Sequence, residues 1–343
     1  SSREQLAFMI TSPQNLRFAQ VIVNRVWRRY MGAGIVEPPH DWEGKKPSHP
    51  ELLDWLANEF VVHGYSLKHI ARRIMTSQTY QRQALGENLA ASPEVRFFNA
   101  PDPRRLTAEQ IVDALMVTSG RPLDVEELTF DPDARRPSSN RLTLGVPNRA
   151  WMFANLANER DRPSLNLPRA RQIADILIAF GWTGARQNAK TDRETDPNVL
   201  QSGILSNSSA AMHFVRLAAA SGLADLAIDS TSPSQLVDRV FLRYLGRYPN
   251  GSERDPLVEL LTPGFESRVV GSESGSIVSL ESSLQRVTWS NHLRPEANEI
   301  AYELERLATR GPETDARLHS EWRERFEDAL WSVINLREFV WIP

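Results

Sequence analysis

The chain has 343 residues, 41% of them hydrophobic and 24% charged, which is a globular composition with material for one large core or two smaller lobes. Its formal charge of −3 argues against a broad nucleic-acid surface, which needs a basic excess. With no cysteine, disulfides, thiolate metal sites, a cysteine nucleophile and a C-x-x-C-H haem attachment are excluded within these residues.

The opening Ser1-Ser2-Arg3-Glu4-Gln5 has neither an initiator Met nor a signal-peptide core, so the chain reads as a fragment or processed product of a longer protein. No run approaches the roughly 18 apolar residues that a spanning helix needs. Ser2-x-x-Gln5, Ser48-x-x-Glu51, Thr107-x-x-Gln110 and Ser232-x-x-Gln235 have the form of capping boxes, each ahead of an apolar stripe of helical period. Pro13 and Pro233 stand where a first helical residue tolerates proline.

A helix is expected over 13–31. Phe18, Ala19, Ile22, Val23, Val26, Trp27 and Tyr30 fall on its apolar face, and Arg17, Asn24, Arg25, Arg28 and Arg29 on its polar one. The segment 50–63 would bury Leu52, Leu53, Leu56 and Phe60 and end at Gly64. Ser66 would cap 67–77, with Leu67, Ile70, Ala71 and Ile74 inward, and 108–119 would stop at Gly120. Residues 121–168 are rich in proline and charge and read as a surface excursion with one strand-like stretch, Arg141 to Leu144. A helix at 169–180 ends at Gly181, and 183–203 is polar and irregular. Helices resume over 204–221 and 234–245, with Ser252 capping the next one. The Gly/Ser-rich stretch 264–284 reads as a flexible loop, and 295–309 and 318–340 are amphipathic. The fold expected is all-α and bundle-like: a helical lobe at 1–120, a loop-rich middle at 121–203 with at most a short hairpin, and a helical lobe at 204–343, together one structural domain.

Candidate chemistry is sparse. G-x-S-x-G, H-E-x-x-H and P-loop motifs are absent, and Gly32-x-Gly34 is too short for a phosphate fingerprint. His40, Asp41 and His49 bring imidazole and carboxylate into one loop and could serve as an acid–base pair or as metal ligands. The competing reading is a structural corner beside Pro50. Arg193, Glu194, Asp196 and Asn198 offer an oxygen-rich loop for calcium or sugar, or a salt-bridge cluster. Arg17, Arg25, Arg28 and Arg29 form a basic face for a partner domain or an anionic polymer, or one paired with acids such as those between Glu296 and Glu338. Trp42, Trp151, Trp182 and Trp289 lie in loop-like surroundings, where rings either stack on a ligand or plug loops onto the core. His63 and His69 are explained by helix-end charge and capping.

Several stretches carry a resemblance. They are Asn24-Arg25-Val26-Trp27, Gly32-Ala33-Gly34-Ile35-Val36-Glu37-Pro38, Pro47-Ser48-His49-Pro50-Glu51-Leu52-Leu53-Asp54-Trp55-Leu56-Ala57, Gly64-Tyr65-Ser66-Leu67-Lys68, Thr76-Ser77-Gln78-Thr79-Tyr80, Arg105-Leu106-Thr107-Ala108-Glu109, Asp196-Pro197-Asn198-Val199-Leu200-Gln201, and the closing run Trp331 to Phe339. Together they resemble a planctomycete-specific domain of unknown function, typically the C-terminal part of large exported proteins that begin with a c-type cytochrome-like module. That module is not within this chain, so haem would belong to parent domains outside it. The resemblance implies an extracytoplasmic protein and supplies no reaction. The expectation is a non-catalytic interaction or scaffold module, with other domains of the parent protein or a protein partner as its contact. The alternatives are a polysaccharide-acting enzyme, through carboxylates such as Asp41 and Glu194, or a sugar- or calcium-binding module. No cofactor, nucleic acid or membrane span is expected.

Overall fold

A computed structural model describes residues 2–84, 97–120, 128–129, 143–145, 168–182, 198–219, 221–270 and 293–342. The fold is all-α, with thirteen α-helices among the described residues and two short antiparallel strand pairs. One pair is β2 (Leu128–Thr129) with β3 (Thr143–Gly145), at the strand-like stretch read in the sequence. The other joins β1 (Arg104–Arg105) to β4 (Trp341–Ile342), across more than 230 residues. The chain divides into two compact units, one formed by residues 1–105 with 341–343 and the other by 106–340.

The first unit is built on α1 (Ser2–Thr11), α2 (Leu16–Met31), α3 (Pro50–Val62) and α4 (Leu67–Met75). Its core takes Ala19, Val23, Trp27 and Met31 from α2, Leu53, Leu56, Ala57 and Phe60 from α3, and Ile70 and Ile74 from α4. Leu67, expected inward, is 54% exposed because it opens α4 at the chain reversal. Ala33, Ile35 and Val36 of the loop after α2 also enter this core.

Asn24 corrects the expected polar face. It is fully buried, as Asn24, Trp27 and Met31 follow the i, i+3, i+7 spacing of one helix face. Its Nδ2 donates to the Val36 carbonyl at 2.9 Å, and its Oδ1 accepts the Val36 N–H at 3.0 Å. Both backbone groups of a buried loop residue are thereby satisfied by one side chain. Gly34 is required beside them, since a Cβ there would stand 2.6 Å from the Val36 oxygen and 3.0 Å from Asn24 Oδ1. Ser48 likewise serves the loop rather than a capping box: its N–H and its hydroxyl both donate to the Ile35 carbonyl, and α3 starts without a side-chain cap.

The second unit holds α5 (Ala108–Ser119), α6 (Pro168–Ala179), α7 (Val199–Asn207), α8 (Ser209–Val215), α9 (Gly222–Asp229), α10 (Pro233–Leu245), α11 (Gly251–Leu261), α12 (Glu296–Arg310) and α13 (Ser320–Ile334). Its core collects Ile111 and Leu115, Ile176 and Leu177, Leu236 and Phe241, and Trp322, Phe326 and Leu330. Thr107 and Gln110 complete a reciprocal capping box, and Gly120 and Gly246 close α5 and α10 in left-handed conformation. The cap of α11 is Asn250, in a box with Glu253, and not Ser252. The start of the stretch expected to be flexible is pinned. Arg268, only 7% exposed, donates to the carbonyls of Ala227, Ile228, Ser230 and Phe265, and Val270 N–H donates to Arg317. The rest of that stretch, 271–284, lies outside the described residues.

Candidate functional site

Among the described residues, His40, Asp41 and His49 form no group with metal-holding separations. His40 is exposed, and the Asp41 carboxylate accepts the N–H of Glu43 at 3.1 Å, closing a local turn. His49 places Nδ1 3.0 Å from Ser48 Oγ and its ring 5.5 Å from that of Phe98, against the core. Asn198 caps α7 by accepting the Gln201 N–H, while Arg193, Glu194 and Asp196 lie outside the described residues.

The basic face is partly spent inside its own unit. The Arg17 guanidinium lies 4.2 Å from the ring centre of Trp42, and Arg28 pairs with Glu37 at 3.4 Å. Arg25 and Arg29 project into solvent, and the Arg29 carbonyl accepts from Arg104. Acids of the segment 296–338 have basic partners in the second unit: Glu305 with Arg171, Glu303 with Arg306, and Glu338 with Arg247. Trp42 is half-buried with its Nε1 on the Pro39 carbonyl, and Trp182 is a core residue of the second unit, so both plug loops. Trp151 and Trp289 lie outside the described residues.

A different group assembles at the corner between α3 and α4. Glu59 lies in the last turn of α3 and His63, four residues on, is its C-cap, which sets them on one side of the helix end. Gly64 and Tyr65 then both adopt positive φ, +63° and +60°, and reverse the chain. Ser66 caps α4 by accepting the His69 N–H, which fixes His69 in the first turn, facing back over α3.

Three cationic or cation-forming groups converge on one carboxylate oxygen. Glu59 Oε2 lies 2.9 Å from His69 Nε2, 3.2 Å from Arg73 Nε and 3.8 Å from His63 Nδ1. His63 Nδ1 also stands 2.9 Å from the Glu59 carbonyl oxygen, and the two imidazoles stack with centres 3.7 Å apart and planes 12° apart. The hydrogen bond from His69, helped by Arg73, holds the Glu59 carboxyl below the usual carboxylate range. The Arg73 guanidinium also sits 5.7 Å from the ring centre of Trp55, itself 46% exposed.

Among the described residues, Glu59, His63 and His69 form a group with metal-holding separations, their ligand atoms lying within 4.8 Å of one another. Sequence reasoning treated the two histidines as helix-end residues. The signal available was Glu59-x-x-x-His63 followed by His69, with Gly64 between them to mark a reversal.

The corner lies within a wider likeness. Residues 2–261 match the model of the PSD1 family, described as "Protein of unknown function (DUF1553)". The chain belongs to the PSD1 family. No curated protein and no solved structure matches it. The matched range includes this chain's Asn24 clamp and Glu59 corner and ends with α11, ahead of α12 and α13.

Proposed function

We propose that this PSD1-family chain is a non-catalytic interaction module of an extracytoplasmic multidomain protein, and that its contact is another domain of that parent protein. What supports the reading is α1. Leu6-Ala7-Phe8-Met9-Ile10 is an unbroken apolar run, and at about 100° per residue it covers every side of the helix. A helix apolar all round belongs in an interior. Yet none of the α1 residues is buried: Leu6 is 58%, Phe8 73% and Met9 68% exposed. An apolar surface of this kind marks a protein contact. The resemblance to exported proteins with a cytochrome-like module supports the extracytoplasmic setting and the presence of neighbouring domains.

The experiment is a pull-down of the remaining parent domains on the immobilised chain, repeated with Phe8→Asp. Capture by the wild type that is lost in the variant is the expected result. No capture at low salt would remove the reading.

A further inference from the structure

The Glu59 corner is not explained as a stability device alone. One carboxylate oxygen serves three nitrogen groups, while two imidazoles lie face to face at 3.7 Å. Each imidazole, in its neutral form, offers one in-plane lone pair to an ion. Neutral imidazole beside a carboxylate is a donor set for borderline divalent cations. Calcium, which takes six to eight oxygens, is a poor match to two nitrogens and one carboxylate.

Two ligand atoms each about 2.0 Å from a tetrahedral ion stand about 3.3 Å apart. The separations of 2.9 and 3.8 Å from Glu59 Oε2 to His69 Nε2 and His63 Nδ1 bracket that value. Three adjustments are needed. His63 Nδ1 and His69 Nε2 now donate to Glu59, so each ring must move its N–H to its other nitrogen before the facing atom can ligate. A single ion cannot lie in both ring planes while the rings are parallel, so one imidazole must tilt out of the stack. His63 is the ring placed to do so, being the C-cap of α3 with its side chain 42% exposed, and its Nδ1 must then release the Glu59 carbonyl oxygen at 2.9 Å. Arg73 must also leave the shared oxygen, and the Trp55 ring face gives its guanidinium a second resting place.

We propose that Glu59, His63 and His69 bind one divalent transition-metal ion of the zinc class, displacing Arg73 from the carboxylate. Three protein ligands leave a fourth position for water or for an atom of a partner. This site is independent of the α1 contact, since none of its ligands belongs to α1.

The test is a titration of the full chain with zinc sulfate, read by calorimetry and by the imidazole proton resonances of His63 and His69. One equivalent should bind, and both histidines should shift as the stack opens. His63→Ala and His69→Ala should each weaken binding at least tenfold, and Arg73→Gln should tighten it several-fold by removing the competing cation. His63→Ala decides the matter if His69→Ala fails to fold, because the exposed His63 ring carries no core packing. Absence of zinc binding by the wild type, or binding left unchanged by His63→Ala, would overturn the proposal. So would weakening by Arg73→Gln.

Discussion

Two polar clusters in the first unit are made from the same kinds of helix and behave oppositely. At the Asn24 clamp, one amide meets one buried N–H and one buried C=O, both of Val36, at 3.0 and 2.9 Å. Each of the two buried backbone groups finds one partner of the opposite kind on the same amide. At the Glu59 corner, three nitrogen groups compete for one oxygen at a partly exposed turn. The difference teaches where to look for function in a helical protein without motifs. A buried, balanced cluster holds the fold, whereas an unbalanced cluster at the surface is free to exchange partners.

The contrast can be broken by substitution, and the largest effect belongs to the clamp. Asn24→Ala leaves two backbone groups of Val36 buried without partners and should cost about 3 kcal/mol of stability. Denaturant unfolding together with faster hydrogen exchange at the Val36 amide checks this. Asn24→Asp keeps the acceptor for the Val36 N–H but sets a carboxylate against the Val36 carbonyl. That variant should be strongly destabilised at neutral pH and should regain stability as acid protonates the new carboxyl, which then donates. A pH series of thermal melts shows whether it does.

Glu59→Gln should be milder and pH-dependent in the other sense. The native carboxyl is held below its ordinary range, so its contribution is present above the unfolded-state pKa and is lost as pH falls through the folded one. The gap in melting temperature between wild type and Glu59→Gln should therefore be widest near neutrality and close in acid. A gap that widens in acid would contradict the reading of the corner. Smallest of all, Phe8→Asp should change stability by less than about 0.5 kcal/mol, since Phe8 is 73% exposed. A larger loss on melting would mean that α1 packs on its own chain and not on a partner.

Much of the helical skeleton was legible because its signals are local. Thr107 with Gln110, Ser66 with the His69 N–H, Ser232 with Pro233, and the left-handed glycines at 120 and 246 act over one turn of chain. The same reasoning misassigned Ser48, whose hydroxyl goes to Ile35 thirteen residues back, and placed the α11 cap on Ser252 two residues after its true position. Arg268 was passed over inside a stretch read as flexible, although its guanidinium gathers carbonyls from the end of α9 some forty residues earlier. Of the site candidates, His40, Asp41 and His49 shared a loop in the sequence, and in the fold they form no metal-holding group.

The sequence by itself determined that this chain is helical, where many of its helices start and stop, and which faces are apolar. Capping, glycine termination and the 3.6-residue period are interactions between near neighbours. Only the tertiary structure decided what polar residues at the edges of those faces do. The spacing of Asn24 with Trp27 and Met31 permits a buried place, but its partner appears only when the 32–36 loop folds back and presents Val36 to it. His63 and His69 become one group only when positive φ at Gly64 and Tyr65 turns α4 against α3. A helix face states which side is buried. Which distant backbone or side chain completes a polar group depends on how the helices pack.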